Sequence, residues 1–265
     1  MYSLSHLSVP ARSQPAVRGY LVFVFMSAAG VALEQSDTKM KVSEEKSLKP
    51  IPYLAYLQAS PEPCMGSLIR PEWILTAAHC SLPKEIRLGV NQPSVKNKKE
   101  QLRNYSLTVT HPDFDKKTLK NDLMLIKLSR DAGVNEHYVG TIALAVEPVS
   151  FNDSCFIPTW TWKDYKNHTD PDILTWTNQH ALPFRDCLDI LMKQEQRTSV
   201  NIMCVGQSRI VLSKMKEVSA TPAICSGRVH GILAWTNGAV TLGSEGFFTE
   251  VHPYARWIME IMNTH

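Results

Sequence analysis

The stretch Trp73-Ile-Leu-Thr-Ala-Ala-His-Cys80 decides how this chain is read. Strand-forming residues from Trp73 to Thr76 run into the small pair Ala77 and Ala78, and a cysteine pins the histidine at the end. The same texture continues outward on both sides. Tyr53-Leu-Ala-Tyr-Leu57, Gly66-Ser-Leu-Ile69, Glu85-Ile-Arg-Leu-Gly89, Leu123-Met-Leu-Ile-Lys-Leu128 and Val229-His-Gly-Ile-Leu-Ala-Trp235 are short apolar runs separated by turn residues. Many short strands with frequent turn signals predict an all-β sandwich or barrel. Two segments have helical spacing instead. Phe184 to Gln194 places Leu188, Leu191 and Met192 at helical intervals, and Tyr254 to Met262 puts Trp257, Ile258 and Ile261 on one face.

Charge excludes one class of function. The chain carries 28 basic and 25 acidic residues for a net charge of +3, without the concentrated basic face of a nucleic-acid binder. Lys96, Lys98 and Lys99 read as a solvated loop. At the N-terminus, Arg12 and Arg18 precede an apolar run from Tyr20 to Leu33 that ends in small residues. This pattern predicts a secretory signal peptide over residues 1–32. The run is short for a membrane span, which needs about 20 apolar residues. The long flank before it keeps an uncleaved anchor as the alternative. Residues 33–50 form a polar leader rich in Lys and Glu, and residues 51–265 form the folded domain, with a junction between two halves near 145–155. A secreted, extracellular protein with no membrane association after signal removal is expected, and a monomer.

Six cysteines follow the signal segment: Cys64, Cys80, Cys155, Cys187, Cys204 and Cys225. An even count in an exported chain predicts disulfides, and the sequence alone does not choose among the pairings. No two are spaced C-x-x-C, which argues against a zinc ribbon or a redox motif. No metal and no cofactor are expected. Sequons at Asn104, Asn152 and Asn167 fit a glycoprotein.

Nucleophilic chemistry needs a Ser or Cys, a histidine base and a carboxylate that orients it. With 9 histidines in the chain, local context selects the candidates. His79 closes the opening stretch. Asp122 opens an apolar strand, where a buried carboxylate needs a partner. Ser219 sits in Glu217-Val-Ser-Ala-Thr-Pro-Ala-Ile-Cys225, a turn before another apolar strand.

In these stretches the chain resembles the chymotrypsin-fold, trypsin-like serine proteases, from about Pro52 to the end. LTAAHC at 75–80 is similar to the family's histidine motif, and HPDFDKKTLKNDLMLIKL at 111–128 to the segment that carries its aspartate. GSLI after Cys64, GILAW from Gly231 and the closing tryptophan helix fit as well. The order His, Asp, Ser is the chymotrypsin order. KEVSATPAIC at 216–225 resembles a narrower branch, serine protease 58. The resemblance implies two packed six-stranded antiparallel Greek-key barrels with a C-terminal α-helix. It implies His79, Asp122 and Ser219 as catalytic residues, and the backbone N–H groups of Glu217 and Ser219 as the oxyanion hole. Ser213, Thr236 and Gly246 would line the substrate pocket. It also implies the pairs Cys64–Cys80, Cys155–Cys225 and Cys187–Cys204. The family's bridge across the pocket is missing, with Met215 and Ala239 at its positions.

The departures cluster around the serine. Glu217-Val218-Ser219-Ala220-Thr221-Pro222 stands where the family has Gly-Asp-Ser-Gly-Gly-Pro. Val218 replaces the aspartate that pairs in the family with an ammonium released by activation cleavage. No Arg/Lys-Ile-Val-Gly-Gly stretch exists near Met40, where that new terminus would fall. Both halves of one ion pair are thus absent. Glu217 resists the backbone angles of the glycine it replaces, and a positive φ at β-branched Thr221 would be costly. Thr159 and Thr161 replace glycines flanking Trp160. Only 12 glycines remain in 265 residues, below the usual share of about 7%. Ser213 in place of an acidic pocket base predicts non-tryptic specificity. Thr236 narrows one wall while Gly246 leaves the other open. Ala234 replaces a serine that supports the aspartate. Val90 and Asn97 replace acidic ligands of the calcium loop, so no calcium site is expected.

Two functions follow. One is a weak, non-tryptic serine endopeptidase acting on protein or peptide substrates through an acyl-enzyme. The other is an inactive pseudo-protease that serves as a secreted module for a protein binding partner.

Overall fold

In the computed structural model, the described residues are 50–135, 137–162, 170–193, 201–206, 218–236 and 246–265. The expected signal peptide and nearly all of the expected leader lie outside them, as do Ser213, Glu217 and Asn167. Among the described residues no helix is long and apolar enough to cross a membrane.

The chain is mostly β. Its first half contributes β1 (Leu54–Gln58), β2 (Cys64–Arg70), β3 (Trp73–Thr76), β4 (Glu85–Leu88), β5 (Gln101–Arg103), β6 (Tyr105–Thr110) and β7 (Met124–Leu128). Its second half contributes β8 (Ala143–Leu144), β9 (Ser154–Thr161), β10 (Ile173–His180), β11 (Ile202–Val205), β12 (Pro222–Cys225), β13 (Arg228–Thr236) and β14 (Gly246–Glu250). Helix α1 (Phe184–Lys193) precedes β11, and α2 (Ala255–Thr264) closes the chain.

The first sheet runs β5-β4-β1-β2-β3-β7-β6. Its two edge strands, β5 and β6, are separated in sequence by Asn104 alone. The edges must therefore meet, and the sheet curls onto itself. Counted as one bent strand, β5 and β6 reduce seven strands to the six expected of a barrel. The second sheet runs β10-β9-β12-β13-β14-β11, with two-residue β8 added in parallel to β13. Its edges also meet. Ala181, just past β10, bridges Val205 on β11, and Leu182 N–H donates to the Cys204 carbonyl at 2.9 Å. Closure removes the exposed edges that would otherwise template association. The turn between β12 and β13 is two residues, Ser226 and Gly227, with φ of 50° and 73°. Two positive values make the type I′ turn whose twist matches the flanking strands.

Each sheet has its own apolar interior, with Leu57, Leu68, Ile74, Ile86 and Leu125 in the first. The second has Ile157, Met203, Val205, Leu233 and Phe248. A third cluster joins the two halves, where Leu54, Tyr56 and Met65 meet Trp160, Trp162, Leu174 and Val218. Disulfides link Cys64–Cys80, Cys155–Cys225 and Cys187–Cys204. Helix α2 buries Ile258 and Met262 against the first interior, with Trp257 and Ile261 half-buried beside them.

Helix α1 forms where its spacing predicted. Cys187 and Leu191 are buried, whereas Leu188 and Met192 are exposed, Met192 by 67%. The bond from Cys187 to Cys204 on β11 sets the helix rotation. That bond turns two of the three predicted apolar positions to solvent.

Arg87 on β4 is almost completely buried. Its Nε and Nη2 reach Glu100 at 2.8 and 3.1 Å, and its Nη1 donates to the Pro93 carbonyl at 2.7 Å. The guanidinium also lies 5.5 Å from the centre of the Tyr56 ring. An internal cation thus closes the loop between β4 and β5, the segment that the resemblance equates with a calcium loop.

Two histidines, His230 buried and His111 half-buried, give stability a pH dependence. Burial pushes His230 below the ordinary histidine range; Asp153 opposes that shift, and His252 and Arg228 add to it. Burial also lowers His111, against the pull of Asp113. Both bind a proton less readily in the fold than in the unfolded chain, where they titrate near the ordinary value of about 6.5. The unfolded state binds more protons as pH falls, so stability present above that value is lost below it. The melting temperature is expected to drop between neutral pH and pH ~5. His230→Gln should make that slope shallower in thermal melts at stepped pH.

Candidate active site

His79 follows β3 after a single small-residue turn, and Asp122 lies immediately before Leu123 and β7. Strands β3 and β7 pair antiparallel, with Thr76 opposite Met124. Two segments far apart in sequence therefore leave the sheet at the same end. His79 Nδ1 is 2.6 Å from Asp122 Oδ2, and the His79 backbone N–H donates to Oδ1 at 2.8 Å. Asp122 is fully buried, whereas the His79 side chain is 22% exposed. A carboxylate at this distance accepts from Nδ1–H, which leaves the lone pair on Nε2. Among the described residues, both hydrogen bonds that Asp122 accepts come from His79.

Ser219 is joined from the second half to the start of β2, with no hydrogen bond to His79 among the described residues. Its backbone bridges Cys64 in parallel, and its carbonyl accepts from Met65 N–H at 2.8 Å. Cys64 is bonded to Cys80, the neighbour of His79. Serine and histidine thus flank one disulfide. The sulfurs of Cys64 and Cys80 and a ring nitrogen of His79 lie within 4.8 Å of one another. Bonded to each other, these sulfurs are not the thiolates a zinc site requires.

Among the described residues, neutral groups hold the polypeptide around Ser219. Val218 is completely buried among Leu54, Tyr56, Trp160, Trp162 and Leu174, and its N–H donates to the Trp160 carbonyl at 3.0 Å. Thr221 Oγ1 lies 2.9 Å from the Val218 carbonyl and 3.0 Å from Thr159 Oγ1. The threonine hydroxyls at 159 and 221 thus bridge β9 to the serine turn. The left-handed residue in this turn is Ala220, at φ 62°, and Thr221 has no positive φ. Alanine bears the cost that a β-branched side chain would have made larger. Ala220→Gly is expected to stabilise the protein by up to about 1 kcal/mol, measured by denaturant unfolding.

Of the expected pocket residues, Thr236 and Gly246 pair across β13 and β14. A Cβ at Gly246 would meet the Phe248 ring at 2.5 Å. The space over this glycine is filled by the chain's own aromatic ring. Ala234 is buried and has no hydroxyl to offer Asp122. Asn104 and Asn152 are exposed.

A family model for trypsin matches residues 41–258. The chain belongs to the trypsin family. Human serine protease 58 is 35% identical over 216 residues, covering 81% of this chain and 88% of that protein. A bovine protein named "Probable inactive serine protease 58" is 36% identical over 210 residues, covering 78% and 86%. Human serine protease 1 is 30% identical over 239 residues, covering 90% and 95%. As a trypsin-family chain this one is a serine-type peptidase by descent, with protein or peptide as the substrate class of the family.

Three features of this trypsin-family chain escape a reading by motif. They are the threonine pair at 159 and 221, the buried Arg87–Glu100 pair, and the contacts of Asn121 beside Asp122. None lies in a distinctive local pattern. The one sequence signal was the replacement of glycine by threonine at 159 and 221, and it gave no partner.

Proposed function

We propose that the chain is a secreted serine endopeptidase of low activity and non-tryptic specificity, with His79, Asp122 and Ser219 as its catalytic residues. The observation that supports this most directly is the buried Asp122 carboxylate 2.6 Å from His79 Nδ1. In the reaction, His79 Nε2 takes the hydroxyl proton of Ser219 while Oγ attacks a peptide carbonyl carbon. Asp122 holds the tautomer and stabilises the imidazolium. The tetrahedral oxyanion takes hydrogen bonds from the N–H groups of Ser219 and Glu217. Collapse expels the amine, which receives the proton from His79, and water releases the acyl group by the reverse sequence. Loss of one oxyanion donor costs about 10²–10³ in rate, so an imperfect Glu217 donor is consistent with a slow enzyme. Ser213 and Thr236 line the pocket in this reading, and its lack of an acidic base disfavours Lys and Arg; Gly246 opens no wall, because the Phe248 ring fills the space over it. The protein is exported as a monomer, glycosylated at Asn104, Asn152 and Asn167.

One observation favours the second reading, an inactive module that binds a partner protein. Val218 sits in an apolar cluster, where the family pattern has the carboxylate that orders the oxyanion hole. The name of the bovine relative points the same way.

Treatment with a fluorophosphonate probe separates the two. Labelling of the purified protein that disappears in Ser219→Ala is the expected result. No labelling across several pH values, before and after limited proteolysis, would sink the protease reading and leave the binding module.

A further inference from the structure

Asp122 is aimed by the residue before it. Asn121 has φ 55°, in the left-handed region. Leu123 N–H donates to the Asn121 carbonyl at 2.8 Å, closing a three-residue turn around Asp122. The Asn121 side chain is used at both ends. Its Nδ2 donates to the Asp113 carbonyl at 2.8 Å, and its Oδ1 accepts from the Tyr254 hydroxyl at 2.7 Å. The Tyr254 oxygen in turn accepts from Asn201 Nδ2 at 3.2 Å. Tyr254 and Asn121 are both buried.

We propose that Tyr254 is a positioning residue for the His79–Asp122 pair, its hydroxyl holding Asn121 in the left-handed turn that points Asp122 at His79. The inference rests on the reading of that pair as catalytic.

Three observations carry it. First, among the described residues the hydrogen bonds on Asp122 come only from His79, and no third described side chain holds the carboxylate in place. Its position has to be set through the backbone of its own turn. Second, asparagine tolerates the left-handed region better than most residues, but local tolerance does not select it. The bonds from Asp113 and Tyr254 do, because rotation of Asn121 would break both and leave buried polar atoms unpaired. Third, the segment bearing Tyr254 grips the other side of the same loop. The His111 ring meets Tyr254 edge-on at 5.2 Å and Trp257 at 4.8 Å, and His111 N–H donates to the Leu123 carbonyl at 3.0 Å. The C-terminal segment thus clamps both ends of the turn. Burial raises the Tyr254 hydroxyl above the ordinary tyrosine range, with Asp122 adding to the shift against the bond from Asn201. It therefore remains a donor at neutral pH.

The test compares Tyr254→Phe with Trp257→Phe in the full domain. Both substitutions alter the packing on His111, but only the first removes the bond to Asn121. The readout is the far-downfield proton resonance of His79 Nδ1–H, observed at low temperature in histidine-labelled protein. In Tyr254→Phe this resonance is expected to shift upfield and broaden while circular dichroism keeps the native spectrum. In Trp257→Phe it is expected to stay in place. Fluorophosphonate labelling of Ser219 should slow by up to about tenfold in Tyr254→Phe, the rate equivalent of one hydrogen bond. An unchanged resonance in folded Tyr254→Phe overturns the proposal, and so does the absence of the resonance in the unsubstituted protein. Should Tyr254→Phe fail to fold, Asn201→Gly removes the bond that fixes the hydroxyl while keeping a residue that accepts the left-handed φ of 59° at this position. A smaller shift of the same resonance then supports the proposal, and an unmoved resonance overturns it. Failure of the unsubstituted protein to label sinks the protease reading alone, because the comparison of resonances does not require turnover.

Discussion

Val218→Asp is expected to destabilise the folded protein by about 3–5 kcal/mol, the usual consequence of a buried charge without a partner. The position is completely shielded from solvent, and its neighbours are Leu54, Tyr56, Trp160, Trp162 and Leu174. In the family pattern an aspartate here meets an ammonium. In this chain the space is apolar, and the serine turn is tied down by the Val218 N–H to Trp160 and the Thr221 hydroxyl. The introduced carboxylate would be favoured as the neutral acid, so its folded-state pKa would rise above the unfolded value of about 3.9. The sign of the pH effect follows. A raised folded pKa means that the folded state binds the proton more tightly, so the deficit is largest above that pKa and shrinks as pH falls through it. Urea unfolding of Val218→Asp and Val218→Ala at pH 7 and pH 5 is the measurement. A deficit for Val218→Asp no larger than that for Val218→Ala, and flat with pH, would show that a cation reaches this site after all.

Arg87→Leu is expected to be nearly as damaging, by about 3–5 kcal/mol and roughly 10 °C in melting temperature. The substitution strands the Glu100 carboxylate, which is 3% exposed and, among the described residues, otherwise accepts only from the Asn97 N–H. It also frees the Pro93 carbonyl and removes the cation from the Tyr56 ring. The double replacement Arg87→Leu with Glu100→Leu should recover most of the loss, since exchanging a whole buried pair for apolar groups is often near neutral. A double-mutant cycle checks this. Additive losses would mean that the pair does not couple and that the loop is held by other contacts.

The family and the barrel architecture were legible because their signals are local. A strand before His79, a strand after Asp122 and a turn before the apolar run to Cys225 each occupy about ten residues, and turn chemistry acts at that range. Strand count was less legible. Asn104 bends one strand into two, and the bend follows from sheet closure rather than from any breaker residue. The inward face of α1 does not follow from spacing alone, because Leu188 and Met192 share the helical spacing of Leu191 and yet are exposed, while disulfide-bonded Cys187 is buried. Thr221 looked strained from its residue type, yet the left-handed backbone falls one residue earlier, at Ala220.

The histidine motif with which the chain was first read marks the limit of the sequence itself. By itself the sequence determined which chemically able residues exist, that six cysteines are present, and that short strands and turns dominate. These properties depend on neighbours along the chain. Only the tertiary structure decided that Asp122 is shut away from water against His79, and that Val218 fills an apolar space between the two halves. It also decided that Tyr254, 133 residues from Asn121, holds the turn that aims the carboxylate. Such contacts exist once the sheets have closed and brought their ends together, and closure depends on hydrogen-bonded register across the whole domain. No short stretch of residues specifies that register.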